Sequence, residues 1–172
     1  MKSSKLKSKC SKIELVITDV DGVLTDGGRY YSEKGEIMKK FHTLDGMGIN
    51  VLLRNGIRSV IITKEKSKIV KKWAEEMNVV VVYEDAKKKE KLLPKIRKKF
   101  KISNNQIAYV GDDINDINLL KKVGLSACPK NAINQIKRNV DYVCLQNGGE
   151  GVIREVGDLI LNFKFPEIKR WY

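Results

Sequence analysis

The sequence predicts an α/β fold built on a Rossmann-like, doubly wound and mostly parallel β-sheet. Short apolar runs alternate with segments of helical periodicity along the chain, as they do in βαβ units with right-handed crossovers. The length and composition agree, because 172 residues, 42% of them hydrophobic and 32% charged, fit one globular domain. The one departure from the alternation is a small β-hairpin flap, predicted over residues 27–41 with its turn at Glu33, Lys34 and Gly35.

Each strand and helix is predicted from its own pattern. Strands are expected where apolar residues run together, at residues 15–18, 57–63, 79–83, 106–110, 125–127 and 142–145. Helices are expected at residues 45–55, 67–77, 115–123 and 151–162, with a lysine-rich amphipathic helix within residues 87–101. In the first of these helices, Met47, Val51 and Leu52 are predicted to face inward, and Gly56 to stop the helix.

The pattern predicts one folded domain, residues 13–162, between a basic N-terminal tail, residues 1–12, and a C-terminal tail, residues 163–172. Acidic residues interrupt the apolar segment after the basic N-terminus, so this end does not resemble a secretion signal. No apolar run approaches the roughly 18 residues of a membrane span. Three cysteines without CxxC spacing suggest neither a disulfide framework nor a zinc site. A cytoplasmic protein with no membrane partner is expected.

The net charge of +13 raises the alternative of a nucleic-acid-binding protein. Much of the excess lies in residues 1–12 and 87–101, and the second segment has the apolar spacing of an amphipathic helix with a solvated lysine face. Zinc-finger spacing, RNP-like aromatic strands and a helix-turn-helix pattern are all lacking in the sequence. The expected partner is therefore an anionic small molecule, with no specific nucleic acid.

Polar residues follow several predicted strands at the point where each strand ends. Asp19 and Asp21 come after the first strand, Thr63 closes the second, and Lys89 opens the helix after the third. The segment GDDIND, residues 111–116, follows the fourth. Because sites in doubly wound sheets form at the carboxyl ends of the strands, we expect these side chains to meet at one edge. Clustered carboxylates need a positive charge among them.

The order of these residues resembles the haloacid dehalogenase superfamily of phosphatases. The segments that carry the resemblance are DVDGVLTDG (residues 19–27), the threonine at a strand end, the lysine, and GDDIND. NGGEGVIRE, residues 147–155, further resembles the subfamily of the 3-deoxy-octulosonate 8-phosphate and 2-keto-3-deoxynononate 9-phosphate phosphatases. That group also includes weakly active, tetramer-forming domains fused to some acylneuraminate cytidylyltransferases, which is an open alternative.

The resemblance implies a phosphoric monoester hydrolase, and the chemistry suits the residues. Asp19 is expected to attack phosphorus and form an aspartyl-phosphate, and Asp21 to act as general acid and base. Mg²⁺, a hard cation that prefers oxygen ligands, is expected on Asp19, Asp112 and the backbone carbonyl of Asp21. Thr63 would donate its hydroxyl to a phosphoryl oxygen.

The remaining site residues have supporting roles in this interpretation. Asp113 and Asp116 are expected to support the metal waters or the lysine. Lys89 would offset the negative charge of nucleophile and phosphate, although other lysines at residues 87, 88 and 91 lie close in sequence.

The same resemblance predicts substrate contacts from His42, Thr43, Asp45 and Gly46, and from Glu65 at the second strand end. Asn50, Glu65 and Trp73 stand where the octulosonate phosphatases have arginines. An arginine fork that binds a carboxylate is not replaced by glutamate. The sequence therefore favours a nononate-type sugar-acid phosphate, with octulosonate 8-phosphate as the alternative.

The intervals between the motifs leave room for no cap domain. A site without a cap needs another cover to exclude water, and relatives provide it by forming homotetramers. The hairpin at residues 30–41 and the C-terminal tail at residues 163–172 are the segments predicted to reach neighbouring subunits.

Overall fold

The computed structural model describes the backbone of residues 2–167 and the side chains from Ser4 onward. Six parallel strands form the sheet in the order β5-β4-β1-β6-β7-β8, so the first strand lies at its centre. The strands of this sheet are β1 (Leu15–Thr18), β4 (Arg58–Ile62), β5 (Val81–Tyr83), β6 (Ile107–Val110), β7 (Leu125–Cys128) and β8 (Tyr142–Val143). The predicted doubly wound parallel sheet is confirmed.

Helices cover both faces of the sheet. They are α1 (Lys2–Cys10), α2 (Thr43–Arg54), α3 (Lys68–Glu76), α4 (Leu93–Phe100), α5 (Ile117–Leu120), α6 (Asn134–Lys137) and α7 (Val152–Lys164). In β1, Val16 faces one hydrophobic cluster, while Leu15 and Ile17 face the other, because side chains alternate across a strand. The first cluster receives α1, α2, α3 and α7, and the second receives α4, α5 and α6. No helix within residues 2–167 is long and apolar enough to cross a membrane.

The predicted hairpin is an antiparallel pair of strands, β2 (Tyr30–Ser32) and β3 (Gly35–Met38). Gly35 has a φ of +106°, a conformation that L side chains rarely adopt. Between β1 and β4 the chain forms only this hairpin and α2. The prediction of a small flap without a cap domain is therefore confirmed.

Helix α2 corrects one prediction about the core. Val51 and Leu52 are buried as expected, but Met47 is 43% exposed. Close packing at glycine sets the buried face, since a Cβ on Gly48 would lie 2.7 Å from the backbone of Arg154 in α7. That close approach turns the neighbouring Met47 outward. Gly56, with a φ of +79°, follows the helix at the predicted stop.

The basic N-terminal segment forms a helix that packs on α7, a feature that its charge did not indicate. Cys10 is fully buried, and Lys9 pairs with Asp141 at 2.5 Å. At the other end, α7 continues to Lys164, and Phe165 packs against the core. Residues 168–172 of the predicted C-terminal tail lie outside the described residues.

Candidate active site

Most of the polar residues predicted at the strand ends line one cavity of about 300 Å³, and Lys89 and Asp116 contact its Asp19 or its Asp112 from below. Asp19 follows β1 directly, where its backbone N–H donates to the carbonyl of Val110 and its Oδ1 accepts a hydrogen bond from the N–H of Val20 at 2.7 Å. The cavity is lined by Asp19, Asp21, Arg29, Thr63, Lys64, Glu65, Asp112, Asp113, Ile114 and Asn115. The expectation of a shared site at the carboxyl edge of the sheet therefore matches the geometry.

Lys89 lies beneath the cavity and is fully buried. Its Nζ lies 2.5 Å from Asp19 Oδ2 and 2.7 Å from Asp116 Oδ1, and it donates to the hydroxyl oxygen of Tyr109 at 3.3 Å. The lysines at positions 87, 88 and 91 are all exposed. Of the four lysines, only Lys89 contacts the predicted nucleophile.

Asp116 holds the loop that follows β6. Its Oδ1 accepts hydrogen bonds from Lys89 and, at 2.5 Å, from the hydroxyl of Tyr109. Its Oδ2 accepts from the backbone N–H groups of Asp112 at 2.9 Å and Asp113 at 3.3 Å. A Cβ on Gly111 would lie 2.6 Å from the Asp116 side chain, so the loop passes closely over this carboxylate. Tyr109 was not predicted as a site residue, because its strand resembles any buried strand.

The carboxylates of this site suit a divalent cation. Oxygen atoms of Asp19, Asp112 and Asp116 lie within 4.8 Å of one another, and Asp112 Oδ1 is buried with no hydrogen-bond partner among the described residues. Burial raises the pKa of Asp112 to about 7, and the charges of Asp19 and Asp116 add to the increase. Burial also raises the pKa of Asp19 to about 7, against the opposing effect of Lys89. A hard cation with oxygen ligands fits this crowding of negative charge.

Asp116 is already saturated by four hydrogen bonds, so Asp19 and Asp112 are the carboxylates left to hold a cation. Asp113 accepts a hydrogen bond from the N–H of Ile114 at 2.7 Å and caps the short turn after β6. Asp113 lines the cavity wall and stabilises the loop there.

Asp21 is contacted by residues of the hairpin. Lys39 Nζ lies 2.5 Å from Asp21 Oδ1 and 2.8 Å from Glu36. Arg29 lies 3.8 Å from Asp21 Oδ2 and 3.5 Å from Glu65. Sequence reasoning did not identify Lys39 or Arg29, because the contacts depend on how the hairpin folds back over the strand ends.

Thr63 and Glu65 both line the cavity after β4. Thr63 is buried, and its hydroxyl oxygen accepts the N–H of Glu65 at 3.3 Å. Glu65 stands at the mouth of the cavity, as predicted, but it pairs there with Arg29. The mouth therefore carries a cation beside the predicted anion.

The other predicted substrate residues lie away from this cavity in the described part of the chain. His42 caps α2 by accepting the N–H of Leu44 at its Nδ1, and Thr43 is exposed at the first position of that helix. Asp45 is fully buried and accepts the N–H groups of residues 151 and 153, which caps α7. Gly46 packs against the sulfur of Met77. Their contact with substrate remains a prediction.

Comparison with known proteins identifies the enzyme family to which this fold and site belong. Residues 55–156 match the haloacid dehalogenase-like hydrolases. A 3-deoxy-D-manno-octulosonate 8-phosphate phosphatase of Salmonella typhi is 38% identical over 159 residues, 92% of this chain and 85% of the relative. The phosphatase of that name from Haemophilus influenzae is 34% identical over 91% of this chain and 87% of its own. The chain belongs to the haloacid dehalogenase-like hydrolase family, and it is a phosphoric monoester hydrolase.

Solved structures agree with this placement. A putative hydrolase of subfamily III A from Legionella pneumophila superimposes with a TM-score of 0.92 at 34% identity, covering 95% of this chain and 90% of that one. An octulosonate phosphatase from Moraxella catarrhalis, in complex with magnesium, phosphate and a sugar acid abbreviated KDO, gives 0.90 at 32%, covering 94% and 92%. The Haemophilus influenzae phosphatase, in a cobalt-bound form, gives 0.88 at 34%, covering 91% of each chain. Divalent cations therefore occur in close structural relatives.

Proposed function

We propose that this chain is a Mg²⁺-dependent phosphatase that hydrolyses the terminal phosphate monoester of a 2-keto-3-deoxy sugar acid. The observation that carries the proposal is the buried ion pair between Asp19 and Lys89 at the base of a small polar cavity. Asp21, Thr63 and Asp112 surround the same cavity. A carboxylate, a fixed cation and an unpartnered carboxylate oxygen in one small volume suit in-line phosphoryl transfer.

In the first step, a carboxylate oxygen of Asp19 attacks phosphorus while the bond from phosphorus to the sugar oxygen breaks. The electron pair of that bond goes to the sugar oxygen, and Asp21 gives it a proton. Lys89 holds the Asp19 carboxylate in place, and Thr63 donates its hydroxyl to a phosphoryl oxygen. Asp19, Asp112 and the backbone carbonyl of Asp21 would hold Mg²⁺, which when bound supplies positive charge to the phosphate oxygens.

In the second step, water attacks the phosphorus of the aspartyl-phosphate. Asp21, now deprotonated, accepts a proton from that water, and the bond between phosphorus and the Asp19 oxygen breaks. Inorganic phosphate leaves and both aspartates return to their starting forms. Asp21 serves as acid and then as base because the two steps use it in opposite protonation states.

Octulosonate 8-phosphate is the substrate that the comparisons support better than nononate 9-phosphate, which the sequence alone favours. The support comes from relatives that carry the octulosonate name at 34–38% identity over most of their length. The argument for the nononate rested on Asn50, Glu65 and Trp73, which stand where the octulosonate phosphatases have arginines, and on the negative charge of Glu65 in particular. Arg29, only 3.5 Å away, offsets that charge and offers the mouth of the site a cation for a substrate carboxylate.

A homotetramer in the cytoplasm completes the proposal. Tyr31 and Ile37 of the hairpin are about 60% exposed, which supports a role for this flap in contacts between subunits. All three cysteines are buried and unpaired, which fits a reducing compartment.

Phosphate release from octulosonate 8-phosphate and nononate 9-phosphate, each with Mg²⁺ and again with excess chelator, tests the proposal. We expect turnover of a sugar-acid phosphate that depends on the metal, with a higher kcat/KM for the octulosonate. A higher kcat/KM for the nononate would restore the preference that the sequence suggests. Failure to hydrolyse either compound with metal present would contradict the proposal and favour the weakly active, tetramer-forming class of relative.

A further inference from the structure

Lys39 is a buried lysine outside the residues that the proposed reaction uses. It follows β3 of the hairpin, and its side chain is 1% exposed. Its Nζ lies 2.5 Å from Asp21 Oδ1 and 2.8 Å from Glu36 Oε1. Two carboxylates on different segments, one after β1 and one in β3, therefore hold the same ammonium group.

Burial of this side chain needs an explanation. A surface lysine normally keeps its ammonium group in water while its methylenes lie along the protein, and burying the charge is costly unless it is paired. The next residue shows the ordinary behaviour, since the side chain of Lys40 is 59% exposed and lies 3.4 Å from Asp26. The chain thus carries two adjacent lysines, each near an aspartate, of which only Lys39 is enclosed.

The contact with Lys39 fixes one oxygen of Asp21 and leaves the other free for chemistry. Oδ1 accepts a hydrogen bond from Lys39 at 2.5 Å, whereas the Arg29 guanidinium lies 3.8 Å from Oδ2, beyond hydrogen-bond distance. A general acid must hold its proton within hydrogen-bond reach of the leaving oxygen, so the rotation of the carboxylate matters.

We propose that Lys39 is a positioning residue that holds Asp21 Oδ1, so that Oδ2 faces the cavity and delivers its proton to the leaving oxygen. This inference rests on the proposed phosphatase reaction. It makes the hairpin part of the acid and base machinery.

The test compares leaving groups that differ in their need for a proton. A sugar alkoxide leaves poorly unless it is protonated, whereas the phenolate of p-nitrophenyl phosphate leaves without help. The ratio kcat/KM reports the steps through departure of the leaving group, so it excludes the later hydrolysis of the aspartyl-phosphate. For Lys39→Met we expect kcat/KM to fall about 100-fold on octulosonate 8-phosphate and less than about fivefold on p-nitrophenyl phosphate.

Two controls separate positioning from general damage. Lys40→Met removes the neighbouring exposed lysine and should leave both kcat/KM values within about twofold of wild type. Adding Lys39→Met to Asp21→Asn should cause no further loss on the sugar phosphate, because a residue that acts only through Asp21 has no effect once that carboxylate is gone. If Lys39→Met does not fold, Glu36→Gln, which removes the second anchor of Lys39, should give a smaller loss with the same selectivity.

Equal losses on both substrates, or full additivity with Asp21→Asn, would overturn the role of Lys39. The proposed substrate fails separately, if the wild type cleaves p-nitrophenyl phosphate but neither sugar-acid phosphate. In that event, the leaving-group comparison is made with any primary alkyl phosphate that the wild type accepts, and the inference about Lys39 is still tested.

Discussion

Substitution of Lys89 by methionine removes the cation that joins two buried carboxylates. Lys89 Nζ pairs with Asp19 and Asp116 at 2.5 and 2.7 Å, and neither Lys89 nor Asp116 has measurable exposure. Methionine is similar in length and fills the space, so the change removes the charge and leaves little cavity. Tyr109 continues to donate to Asp116, but in Lys89→Met the oxygen of Asp19 that faced the lysine has lost its partner.

Removing one partner of a buried ion pair costs about 3–5 kcal/mol, because the remaining charge stays in a poorly solvated place. That is a large part of the roughly 5–15 kcal/mol that stabilises a typical domain. For a chain of this length, it corresponds to a fall in Tm of about 10 °C. Phosphate release should fall at least about 100-fold, since the cation that faces the nucleophile is gone.

Urea unfolding and phosphate release would be measured on Lys89→Met beside Lys87→Met and Lys91→Met. The two control lysines are exposed, so each should change stability by less than about 0.5 kcal/mol. Similar small losses in all three variants would refute the reasoning, because Lys89 would then be one member of a solvated lysine face.

Two further predictions concern Asp45 and Gly22. Burial raises the pKa of Asp45 from 3.8 to about 6, so the folded state favours the protonated form. Wild-type stability relative to Asp45→Asn should be highest below pH 3.8 and fall by about 3 kcal/mol as pH rises to 6, measured by urea unfolding. A Cβ on Gly22 would overlap Asp112 Oδ2, and the φ of this glycine is +86°. Because Asp112 is one of the carboxylates that would hold the cation, Gly22→Ala should raise the Mg²⁺ concentration needed for half-maximal activity. Gly35→Ala is the control, because Gly35 has a φ of +106° but open space where a Cβ would lie. It should lose stability through backbone strain without a change in the Mg²⁺ requirement. A stability difference between wild type and Asp45→Asn that does not change with pH would contradict the first prediction. Equal Mg²⁺ requirements in Gly22→Ala and Gly35→Ala would contradict the second.

The main features of the site could be predicted because they follow strand ends. Asp19, Thr63 and Asp112 each come directly after a run of buried apolar residues or one residue beyond it, and parallel strands bring their carboxyl ends to one edge. Local pattern was sufficient there. Lys89 was also predicted as the site lysine among the four lysines of residues 87–91. The short turn that begins at Lys89 explains why this side chain alone is buried.

Contacts that depend on tertiary packing could not be predicted in this way. Arg29 and Lys39 reach the site because the hairpin folds over the end of β1, and nothing in their local sequence distinguishes them from surface cations. The contact of the Asp45 carboxylate with the start of α7, over 100 positions away in sequence, was not foreseen for the same reason, and a contact of Asp45 with substrate stays a prediction. The helix at residues 2–10 was missed because its lysines resemble those of a charged tail.

Detection of a phosphoryl group on Asp19 tests the central claim most directly. Enzyme turning over a sugar-acid phosphate with Mg²⁺ would be quenched in acid, and the peptide that contains residue 19 analysed by mass spectrometry. We predict a phosphoryl adduct on Asp19 in the wild type, and neither adduct nor phosphate release in Asp19→Asn, because an amide cannot form the acyl-phosphate. Turnover by Asp19→Asn within about tenfold of wild type, far below the loss expected without the nucleophile, or an adduct on another residue would contradict the account.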